Sequence, residues 1–137
     1  MGHATPEAAA LAGDGVTAAT TVLVSGSCGK VAGVVLQDPA WGWREFVWCT
    51  RINGEWGEGS SSSGHTLWTH LEGDEDNAGY LASWGDLADE DTGALSFEVT
   101  FLGRESMATV RNGHWLWIVD QVREDQIDEP ATLVAVF

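Results

Sequence analysis

The sequence predicts an all-β fold, an antiparallel β-sandwich of about eight short strands, with a closed β-barrel as the alternative. Three observations lead there. Apolar and polar residues alternate at period two in several stretches, Asn-Gly pairs interrupt two of them, and no segment sustains a long helical period. No internal repeat or linker marks a second domain, so one domain over residues 16–137 is expected behind a flexible N-terminal arm of residues 1–15, which is rich in Ala and Gly.

Taken in order, Val16 to Val24 is β-branched and ends at Ser-Gly-Ser-Cys-Gly, and Lys30 to Leu36 resumes the same texture until Asp38-Pro39 stops it. These predict a first strand pair. From Arg44 to Ile52 the pattern alternates, with Phe46, Trp48, Thr50 and Ile52 on one face and Glu45, Val47, Cys49 and Arg51 on the other. Asn53-Gly54 follows as a type I′ turn signal, which sets Arg51 opposite Trp56 as a cation–π pair. Glu58 to Gly64 is almost entirely Gly and Ser and is expected to be a mobile loop. His65 to Leu71 is expected as a short strand, Glu72 to Asn77 as a turn, and Tyr80 to Trp84 as a strand bracketed by Gly79 and Gly85.

Leu95, Phe97, Val99 and Phe101 alternate with polar residues, the pattern of a half-buried strand. The stretch from Met107 to Asp120 is a second hairpin around Asn112-Gly113, pairing Thr109 with Leu116, Val110 with Trp115, Arg111 with His114 and Ala108 with Trp117. Both of its faces are apolar, which predicts a central position. Thr132 to Val136 supplies the last strand after an acidic loop.

Charge is the strongest compositional signal. Twenty-one acids against six bases give a formal charge of −15, and no Lys or Arg occurs between Arg51 and Arg104. Such a field repels nucleic acid and anionic membranes and attracts basic proteins. No apolar run reaches the length of a membrane span, and the N-terminus lacks the pattern of a secretory signal, so a soluble, cytoplasmic protein is expected. Cys28 and Cys49 are then expected as reduced thiols.

Catalytic and metal motifs are weak. His65 and His70 fall on opposite faces of a strand, and His70 with Glu72 and nearby acids is a poor cation set. Asp74 to Gly79 begins like a calcium loop, but Ala78 and Gly85 stand where ligands belong. No serine sits in a nucleophile elbow, and no metal or cofactor is expected. A small carboxylate-dependent enzyme is retained only as a third reading.

Eight tryptophans remain to be placed. Trp48, Trp115 and Trp117 lie in the clearest strands and are expected in the core. Trp41, Trp43, Trp56 and Trp68 are expected at the surface, where indoles anchor partners or stack on sugars. The first functional reading is therefore a non-enzymatic, acidic, tryptophan-rich protein-binding module, inhibitor- or immunity-like, that docks on a basic partner. Its binding residues would be Trp41, Trp43, Trp56 and Trp68 with Glu72, Asp74, Glu75, Asp76, Asp86, Asp89, Glu90 and Asp91. The second reading is a β-sandwich that binds a small ligand or carbohydrate through the exposed tryptophans.

Overall fold

The structure is a computed structural model and describes residues 2–71 and 78–137. In chain order these residues form helix α1 (Pro6–Leu11) and strands β1 (Thr21–Cys28), β2 (Val31–Gln37), β3 (Arg44–Ile52), β4 (Glu55–Ser62), β5 (Thr66–Thr69), β6 (Ala78–Asp86), β7 (Ser96–Phe101), β8 (Arg104–Arg111), β9 (His114–Arg123) and β10 (Ala131–Val136). Every strand pair is antiparallel. One sheet has the order β1-β2-β3-β4 and the other β10-β7-β8-β9-β6-β5. This is the all-β, two-sheet class expected of a sandwich; the sheets are not closed into a barrel, which removes that alternative. The chain divides into two compact units, Met1–Gly64 and His65–Phe137, each carrying one sheet.

In the first unit, the segment read as a flexible arm carries α1. The Thr5 side chain caps the helix by accepting from the Ala8 N–H at 3.1 Å, Pro6 stands in its first turn where no N–H is needed, and Glu7 complements the helix dipole there. Ala9 and Ala10 are each 1% exposed and pack with Ala32, Val34, Leu36, Val47, Cys49 and Trp56. The alanines contribute little area themselves. Covering Val34, Leu36 and Val47 is what stabilises, at roughly 1.5–3 kcal/mol for each Val or Leu side chain fully buried. Upstream of α1, His3 and Trp56 exchange two backbone hydrogen bonds of 2.8 Å, which fastens the N-terminal segment to the edge strand β4. The small-residue composition that predicted a loose arm is what lets a short helix lie close on a sheet.

Two further expectations in this unit are corrected. Val16 to Thr20 does not join β1, because the Thr17 and Thr20 hydroxyls bond elsewhere and compete with a ladder. Glu58 to Ser62 is strand rather than mobile loop: Glu58 pairs with Cys49, Ser61 with Val47 and Ser62 with Phe46, across a register shift at Trp48. Backbone pairing at a sheet edge needs no large side chains. The Asn53-Gly54 turn has both φ angles positive, 53° and 80°, and it sets Arg51 opposite Trp56 with the guanidinium carbon 5.5 Å from the ring centre, as the spacing predicted.

In the second unit, β6 and β9 are buried on both faces, through Leu81, Val119 and Val122 on one side and Ala82, Trp84, Leu116 and Ile118 on the other. Trp115 lies over Gly85, its cross-strand partner, with ring atoms 3.2 Å from where a Cβ would stand. The second Asn-Gly hairpin has the predicted pairs at Thr109, Val110 and Arg111. Its arms β8 and β9 are the two middle strands of their sheet, the central position expected, although the face of β8 that carries Met107 is open, at 54% exposure. A third two-residue turn, Leu102-Gly103, joins β7 to β8 with φ of 52° and 72°; its first residue is not the Asn or Asp that signals such a turn, so the sequence reading missed it. Leu95 faces outward at 72% exposure because β7 begins one residue later.

Candidate functional site

A hollow lined by residues of the first unit lies on the helix-covered side of the first sheet. Alternation in β3 puts Glu45 and Val47 on that side, β2 adds Leu36, and β4 adds Glu58. The loop after α1 closes it with Asp14 and Val16, while Trp41 and Trp43 stand at its mouth. The cavity is about 210 Å³. That is smaller than the roughly 300–1,000 Å³ of sites for drug-sized ligands, and it suits the end of one side chain.

The two indoles are the wall. Their planes are within 9° of parallel and their centroids are 6.3 Å apart. Trp41 is half-buried against the helix-side cluster, whereas Trp43 is 56% exposed. The Trp43 indole N–H donates to a Glu45 carboxylate oxygen at 2.8 Å, so the acid is held at the edge of the ring. Among the described residues lining the cavity, Asp14, Glu45 and Glu58 are acidic and none is Lys, Arg or His. Glu58 reaches across to Gly13, where a Cβ would collide with its carboxylate. The lining is an aromatic and acidic surface with an apolar floor.

A buried carboxylate sets the loop that carries these indoles. Asp38 is 3% exposed and accepts hydrogen bonds from the Thr17 hydroxyl at 2.5 Å, the Thr20 hydroxyl at 2.7 Å and the Ala40 N–H at 2.8 Å. Those donors, led by Thr17, hold its pKa below the usual carboxylate range, against the opposing effect of desolvation. The Trp41 N–H also donates to the Asp38 carbonyl at 2.9 Å. Asp38 thus ties the 17–20 turn to the tryptophan loop. In the same unit, Cys49 is fully buried and its Sγ donates to the Pro6 carbonyl at 3.6 Å. Burial first, then Glu58 and Glu7, push its pKa up to about 12, so the thiol stays protonated and is a poor nucleophile.

The predicted site residues divide. Trp41 and Trp43 converge on the cavity. Trp56 does not reach the surface: at 7% exposure it belongs to the core under α1, because alternation on β4 turns it to the helix side. Trp68 is half-buried, donates its indole N–H to the Val122 carbonyl at 2.8 Å, and packs in the other unit. Asp86 pairs with His114 at 3.1 Å, and Asp89, Glu90 and Asp91 form an outward-facing 3-10 turn. Glu72, Asp74, Glu75 and Asp76 lie outside the described residues.

Of the expected core tryptophans, Trp48 and Trp117 are buried and Trp115 is half-buried, and Trp84 joins them at 1% exposure. The acids that accompany Trp41 and Trp43 are not in the expected binding set, although the sequence singles out Glu45, with Glu98, as a strand carboxylate for the enzyme reading. Glu45 was legible from its two-residue spacing to Trp43. Asp14 and Glu58 arrive through the helix and the β3–β4 pairing and had no local signal. Among the described residues no group of three or more His, Cys, Asp or Glu side chains is placed to hold a metal ion, and no helix is long and apolar enough to cross a membrane. Comparison with known proteins finds no matching family model, curated protein or solved structure.

Proposed function

We propose that this chain is a protein-binding module that docks on a basic partner by taking one cationic side chain into the cavity between Trp41, Trp43, Glu45 and Glu58. The observation that carries this reading is the chemistry of the lining: two indoles and three carboxylates with no basic residue among them. A cation is attracted to an indole face and to a carboxylate alike, and gains most where both are offered together. The formal charge of −15 speeds the encounter with a basic surface, while the cavity supplies the specific hold. The small volume and the acidic lining favour a charged side chain over a neutral sugar ring, which would occupy more space and leave the carboxylates uncompensated.

The test is a calorimetric titration with an alternating Lys-Arg octapeptide. Replacing Glu45→Gln and Glu58→Gln together is expected to weaken binding roughly tenfold, the equivalent of about 1.4 kcal/mol. Replacing Asp89→Asn and Glu90→Gln removes the same charge from the outward-facing turn and is expected to change affinity much less. Equal losses in the two variants would show that only the overall field attracts the peptide, and would overturn the reading.

A further inference from the structure

Resting on that reading, we infer that the group taken up by the cavity is the guanidinium of an arginine, laid flat on Trp43 and forked onto Glu45. The first argument is shape. The two indole planes are within 9° of parallel, so they offer faces of one orientation rather than walls at right angles. A planar guanidinium lies flush on such a face, whereas a tetrahedral or methylated ammonium gains most from rings that surround it. With more than half of its surface exposed, Trp43 leaves a face open.

The second argument is the acceptor set. The Trp43 indole N–H fixes one oxygen of Glu45 at 2.8 Å and so sets the position of the carboxylate at the ring edge. Glu58 and the Ser61 hydroxyl face the same hollow from β4. A guanidinium has five N–H donors in a rigid plane and uses several in-plane acceptors at once; an ammonium presents three on a freely rotating head. Third, Val16, Leu36 and Val47 give the cavity an apolar floor along which the methylene stem of an arginine can lie.

The experiment titrates the intact protein with N-acetyl-arginine amide, N-acetyl-lysine amide and N-acetyl-trimethyllysine amide at constant ionic strength, following the Trp41 and Trp43 indole N–H signals by NMR, and the Trp41 signal alone in the Trp43→Ala variant. Saturable binding of the arginine compound at least fivefold tighter than either lysine compound is the expected result, and Trp43→Ala, at an exposed position, should abolish that preference without unfolding the chain. Equal or tighter binding of either lysine compound would overturn the guanidinium assignment while leaving the cation reading standing. Failure of all three to perturb Trp43 would overturn both.

Discussion

At the scale of single residues, Asp38 is the group on which the candidate site most depends, although it never faces the cavity. Its three donors favour the ionised form, so its folded pKa lies below the unfolded one. Under proton linkage that contribution is fully present above the ordinary Asp value and is lost as pH falls through the lowered folded value. Asp38→Asn is therefore expected to lower stability at neutral pH and to flatten the acid limb of the stability profile, read by urea unfolding from pH 7 to pH 3. Cys49 titrates with the opposite sense. Its pKa is raised to about 12, so the folded chain holds its proton more tightly and stability declines as pH rises from the ordinary thiol value toward that figure. At pH 8 in native buffer, iodoacetamide is expected to label half-exposed Cys28 readily and Cys49 only after urea is added. The role of Asp38 was not visible in the sequence, where it read only as a strand stop beside Pro39, whereas Cys49 was expected as a reduced, buried thiol and is free and buried.

At the scale of elements, local signals were legible where backbone chemistry is local. Asn53-Gly54 and Asn112-Gly113 announced their turns because Asn and Gly tolerate positive φ at low cost, and the cross-strand partners followed from the turn length. Leu102 adopts the same backbone at φ 52° without that tolerance, so its turn left no signature. Leu102→Asn is expected to stabilise by about 1 kcal/mol by relieving the left-handed strain, seen as a higher urea midpoint with an unchanged m-value. Helix α1 was illegible for a different reason. Six residues cannot sustain a helix alone, and this one persists because Ala9 and Ala10 are sealed against β2, β3 and β4. Ala10→Asp is expected to cost about 3 kcal/mol or more, since it buries a charge with no partner, and thermal unfolding would measure it. The same packing hid Trp56, which lies between exposed Glu55 and half-buried Gly57 while its own side chain turns under the helix.

At the scale of the whole molecule, composition predicted an acidic β protein with more indole than its core would need, and burial shows which indoles those are. Trp48, Trp84 and Trp117 are taken up by the sheets, and Trp43 is left at 56% exposure beside Glu45. Convergence of that tryptophan with Glu58 and Asp14 depends on α1 and on the β3–β4 register, so it becomes visible only when the chain is folded. The most direct measurement of the cation-docking reading is an NMR titration of the indole N–H signals with the alternating Lys-Arg octapeptide, at low and at moderate salt. The expected result is a saturable shift led by Trp43, with Trp84 and Trp117 unmoved and the apparent affinity falling as salt rises. Shifts led by Trp68, or an unchanged Trp43 signal at saturation, would contradict it.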